Sequence, residues 1–219
     1  MNRGIASDSV ADLDDALGPF LGSWTLMMAA MMVPSAMPMI LLHRRGAADA
    51  ARIFAALRTS LFVAAYLLVW AATGIAVWLG ARIVDGALPV DARPFAVAAV
   101  LVLAGIYEFT PLKSTCLRAC RSPADFLMTH WQSGLRGDFR LGVEHGIYCL
   151  GCCWALMLVF VAAGAMGLVW AALIALAVFV EKVVPRGFTV ARVIGVVLVA
   201  GGLLVAVRPE IASSLAGKM

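Results

Sequence analysis

The stretch SLFVAAYLLVWAATGIAVWLGA (Ser60–Ala81) runs for 22 residues without a charge. A bilayer core about 30 Å thick is crossed by a helix of about 20 mostly apolar residues, so this stretch alone predicts a transmembrane helix. Working outward from it, five more runs approach or reach that length, over 20–42, 94–110, 142–164, 166–182 and 190–208. The third and fifth spans are short, and the turn at Gly164–Ala165 between the fourth and fifth is tight. A five-span reading therefore stays open beside the six-span one. Composition points the same way. The 219 residues are 63% hydrophobic and 14% charged, against about a quarter charged in a soluble domain, and the mean hydropathy is +0.96.

The expected class is all-α, a polytopic transmembrane bundle forming a single domain over 1–219. Lipid offers an unpaired backbone group no partner, and the dyad alternation of a membrane β-barrel is absent. Asp8, Asp12, Asp14 and Asp15 stand where a signal peptide carries basic residues. The net charge of +4 does not indicate nucleic acid as a partner, because the basic residues gather in the loops and none is interleaved with a stacking platform of aromatics.

Those loops set the orientation. Arg44, Arg45, Arg52 and Arg58 follow span one; Lys113, Arg118, Arg121, Arg136 and Arg140 lie in the polar segment 111–141; Lys182, Arg186 and Arg192 follow span five. That places twelve basic residues on one side, against five on the other: Arg3, Arg82, Arg93, Arg208 and Lys218. The positive-inside rule predicts both termini outside and 111–141 in the cytoplasm. Within that segment Thr110 and Ser122 precede Pro111 and Pro123 as N-caps of short helices.

Three constellations can carry chemistry. In span four, His145, Cys149 and Cys152 share a helix face, with Cys153 beside them. Thiolate and imidazole are ligands for Cu(I) and Zn(II), and thiolate favours the softer ion. A buried cysteine can also be no more than a small hydrophobe, a reading that suits isolated cysteines better than three in five residues. In span one, Met27, Met28, Met31 and Met32 form i, i+4 pairs continued by Met39, with Pro34 and Pro38 between. Thioethers hold Cu(I) weakly and without deprotonation, while adaptable packing explains a methionine stripe equally well. The third group is Glu108 with Cys116 and Cys120. An intramembrane carboxylate is costly and is either functional or ion-paired, here with Lys113 or Arg118. If the short helix continued span three, Glu108, Leu112 and Cys116 would share a face. His43 beside Arg44 is expected to be solvated, and Glu181 and Lys182 to pair at the membrane face. His130 and Trp131 fit an interfacial helix. Five cysteines near the cytoplasmic leaflet do not suit a disulfide framework.

Met27–Met39 (MMAAMMVPSAMPM), Tyr107–Pro123 (YEFTPLKSTCLRACRSP), Gly142–Cys153 (GVEHGIYCLGCC) and Glu181–Gly187 (EKVVPRG) together resemble a bacterial family of predicted metal-binding integral membrane proteins, a domain-of-unknown-function family. The resemblance implies a helical membrane protein that binds a metal, copper before zinc, and no established reaction.

The residues then predict a Cu(I) binder, transporter or delivery protein of the bacterial inner membrane, not an enzyme. Its expected partners are the bilayer, the ion and either a copper-dependent membrane complex or a second copy. Two alternatives stand beside it. One is a membrane thiol–disulfide oxidoreductase using Cys149-Leu150-Gly151-Cys152, with Cys116 and Cys120 as a second pair. The other is a non-catalytic assembly subunit. The chain has no P-loop for ATP.

Overall fold

A computed structural model describes residues 4–46, 52–162 and 168–210, and these are all-helical, with no strand among them. Helix α1 spans Gly4–Gly46, α2 Arg52–Ala87, α3 Arg93–Tyr107, α4 Pro111–Arg121, α5 Pro123–His130, α6 Leu135–Ala162, α7 Leu168–Val183 and α8 Gly187–Val207; a 3₁₀ turn, Val90–Ala92, precedes α3.

Four segments are long and apolar enough to cross a membrane: Leu17–Gly46, Ile53–Val84, Leu135–Ala162 and Gly187–Val207. A fifth is added if α3 and α4, bent by 66° at their junction, count as one. Helix α7 has 16 residues, short for a span by itself. The described residues therefore carry four or five such segments where six were expected. The Gly164–Ala165 turn lies outside the described residues.

The α3–α4 bend follows from local chemistry. Pro111 disfavours helical geometry at the residue before it, and Thr110 is extended (φ −74°, ψ 151°). Its hydroxyl then accepts from the Lys113 amide, 3.2 Å away, and starts the new helix. Ser122 occupies the corresponding place before α5 but makes no side-chain cap. The bend overturns the continuous face expected for Glu108, Leu112 and Cys116.

Close helix approach is set by glycine at two crossings. On α6, Gly142 and Gly146 lie one turn apart against α2, and a Cβ at Gly142 would run into the Phe62 carbonyl. At the α3–α8 crossing, Gly105 and Gly195 meet backbone to backbone; a Cβ on Gly105 would sit 2.7 Å from the Gly195 carbonyl oxygen. Small residues spaced by four let apolar helices touch in this way.

Polarity is distributed inside out. Leu26, Ile53, Leu103, Val197 and Val207 are exposed, whereas Ser35, His43, Glu108, Lys113, Asp138, His145, Glu181 and Lys182 are buried. Lys113 Nζ lies 2.7 Å from Glu108 Oε2 and 2.8 Å from Glu181 Oε2, tying the α3–α4 corner to α7. Glu181 and Lys182 thus do not pair with each other at a membrane face; each has its own buried partner. His43 is not solvated either. It is fully buried, with Nε2 3.0 Å from Asp138 Oδ1, and Asp138 also takes a two-point contact from Arg58.

Candidate metal centre

The centre is built on α6. Residues three and four apart on a helix share a face, and the thiols of Cys149, Cys152 and Cys153 have sulfurs all within 4.8 Å of one another. All three residues are buried. Cys152 and Cys153 both donate to the Cys149 carbonyl, at 3.1 and 2.9 Å, which folds their side chains back along the helix and gathers the sulfurs.

Helix α4 brings the other two cysteines to the same place. Cys120 Sγ lies 3.8 Å from Cys152 Sγ. Cys116 Sγ fills the space over Gly151, where a Cβ would stand 2.6 Å from it. The Gly151 carbonyl is itself held by the Tyr107 hydroxyl of α3. Cys149, Cys152 and Cys153 are sealed in the core, while Cys120 is only partly buried. All five cysteines are free thiols.

The methionine row of α1 lies in the same core. Met28, Met31 and Met32 are buried and belong to the same contiguous core as Cys116, Cys149, Cys152 and Cys153, with Met27 half-buried against it. Met39 belongs to a neighbouring cluster, with Phe62, Phe126 and Leu141. Members of both sulfur rows thus belong to one packed core.

Three residues of the site were not among the candidates. Lys182 Nζ donates to Cys149 Sγ at 3.0 Å and to Ser35 Oγ at 3.1 Å, and the Tyr66 hydroxyl lies 3.1 Å from the same Cys149 sulfur. The signal for Lys182 was periodic: Ala171, Ile174 and Val178 form the buried row of α7, and Lys182 continues it. Reading Lys182 as a loop residue hid that pattern.

His145 lies outside the close group of three sulfurs. It is buried one turn away, packed between Phe62, Tyr66 and Phe126, and its Nδ1 has no hydrogen-bond partner. Glu108 is engaged by Lys113 and not by the cysteines.

Three thiols gathered in an apolar core of a helical protein, with one ammonium against a sulfur, form a group that could hold a soft metal ion. The chain belongs to the copper-chaperone family PpoB2, whose profile matches residues 21–205, from α1 almost to the end of α8. That range contains all four stretches that carried the resemblance to a metal-binding family, and the family is described as a copper chaperone. No curated protein and no solved structure matches the chain.

Proposed function

We propose that this protein is a membrane-embedded Cu(I) carrier of the bacterial inner membrane that holds the ion at Cys149, Cys152 and Cys153 and passes it to a copper-dependent membrane partner. The observation that carries the reading is the group of three buried sulfurs within 4.8 Å, with Lys182 Nζ 3.0 Å from one of them. Metal–thiolate bonds of about 2.3 Å, the length zinc takes, hold two sulfurs at most about 4.6 Å apart, so sulfurs already within 4.8 Å need only a small adjustment to share a single ion. Cu(I) on two thiolates, with the third cysteine a neutral thiol, carries one surplus negative charge. An unpaired charge in an apolar interior is costly, and the Lys182 ammonium supplies the opposite charge on the spot.

The remaining sulfurs grade outward from that point. Cys120, partly exposed and 3.8 Å from Cys152, is placed to exchange the ion with a donor or acceptor at the end of α4. Met28, Met31 and Met32 offer weak neutral ligands on the α1 side. The outward-facing apolar residues and the twelve-to-five distribution of basic residues support insertion with both termini outside, an orientation in which α3 and the 16-residue α7 must each cross as well. Burial of Lys113 and Lys182 removes two residues from the cytoplasmic count, and the ten that remain still exceed five.

The test is Cu(I) titration of detergent-purified protein under anaerobic reducing conditions against a chromogenic chelator. Wild type is expected to bind with a thiolate-to-copper absorption band, and Cys149/Cys152/Cys153→Ser to lose the band and the equivalent of copper that goes with it. Absence of binding by wild type overturns the proposal. The Cys120–Cys152 approach favours one second reading, a thiol–disulfide catalyst. Thiol trapping distinguishes the two, since a catalyst accumulates a Cys120–Cys152 disulfide during turnover and a carrier does not.

A further inference from the structure

A second polar node lies along the same two helices, beyond the thiol cluster. Asp138 receives Arg58 Nε at 2.7 Å and Nη2 at 2.9 Å, a fork that fixes it as a carboxylate. His43 Nε2, 3.0 Å from Asp138 Oδ1, must then be the protonated nitrogen of its ring. The ring is held flat on Phe62, with centroids 4.8 Å apart, and Trp131 closes another side. Its other nitrogen, Nδ1, carries a lone pair, is buried, and has no partner. A carboxylate behind one imidazole nitrogen and a free lone pair on the other is the arrangement that orients histidine as a metal ligand.

Two further donors stand beside it. Met39 is one turn from His43 on the same face of α1 and fully buried. His145, also with an unpartnered Nδ1, packs on Phe62 and Phe126, which are the neighbours of Met39 as well. The levels agree. Ser35 on α1 and Cys149 on α6 are joined through Lys182, while His43 and Asp138 are joined directly, so the two helices run antiparallel here. At about 1.5 Å per residue, Met39 and His145 each lie about 6 Å from the thiol level, and His43 about 6 Å beyond Met39.

We propose that His43 Nδ1 and the Met39 thioether, with His145 between them and the thiols, form a second Cu(I) station. It rests on the copper reading above for the identity of the ion, and it assigns to His43 and Met39 a role separate from the cysteine cluster. Neutral imidazole and thioether ligands hold Cu(I) less tightly than thiolates do, so this station receives or releases an ion whose resting place is the thiols.

The experiment measures bound Cu(I) per chain and its ligand shell by X-ray absorption in purified, reduced full-length protein. Wild type should bind one more Cu(I) than the thiol cluster accounts for. Cys149/Cys152/Cys153→Ser should retain one ion in a shell containing nitrogen. Met39→Leu with His43→Phe should lose one equivalent and keep the thiolate band. Met39→Leu alone, which leaves the Asp138 contact intact, should weaken the retained ion of the serine variant at least tenfold. Wild type with copper only on sulfur, or a serine variant without copper, overturns this proposal and leaves the thiol carrier standing. Wild type with no copper at all overturns both.

Discussion

Lys182 presents its ammonium to a cysteine sulfur inside an apolar core, with a serine on its other side and water excluded. A group in that position acts on the metal through the sulfur it touches, as an outer partner does in other metal sites. Lys182→Met keeps the length of the side chain and removes the charge; Cu(I) affinity should fall roughly 10- to 100-fold, the usual cost of losing such a partner. Retention of full affinity in a chelator competition would show that the ammonium is structural only. Lys113 is a different case, because among the described residues it is the cation that bonds both Glu108 and Glu181. Lys113→Met should destabilise the fold by about 3–5 kcal/mol, the cost of orphaning a buried charge, read as an earlier thermal transition in detergent.

At the scale of elements, the site depends on where helices bend and how closely they approach. The 66° turn between α3 and α4 brings Cys116 and Cys120 onto α6. Gly142 and Gly146 bring α2, and with it Tyr66, within reach of Cys149. Gly142→Leu should cost about 1–3 kcal/mol by overpacking and weaken copper binding although it alters no ligand; unchanged binding and stability would place the α2–α6 contact outside the site's requirements. The cysteine row on α6 was legible because it needs only helical period within one element, and the N-cap at Thr110 was legible from its neighbour Pro111. The convergence of α4 with α6 was not, because separation in sequence says nothing about which buried faces meet. His43 was misread for the same reason. Arg44 beside it suggested water, while its true partner, Asp138, lies 95 residues away.

At the scale of the whole molecule, large apolar side chains such as Leu26, Ile53 and Val207 are exposed while eight polar or charged residues are buried among the described ones, an arrangement that suits apolar surroundings. The proposed orientation gives a direct check. An alkaline phosphatase reporter fused after Met219 should be active in the periplasm, and one inserted at Ser122 should be silent; the reverse pattern would invert the proposed topology. Hydropathy made the long apolar helices readable from the sequence, since a candidate span needs only length and apolarity. Span number was less readable, because α7 is short and α3 breaks where a proline follows it.

The graded burial of the five thiols also dictates a reactivity order. A bulky maleimide should modify Cys120 first, with Cys116, Cys149, Cys152 and Cys153 shielded by the fold until it opens. The mass spectrum of briefly labelled protein then records a single adduct, and the delay before further adducts times the breathing of the helices. Pre-loading with Cu(I) should lengthen that delay, so a simple alkylation clock reports on the occupancy of a site that no large reagent enters.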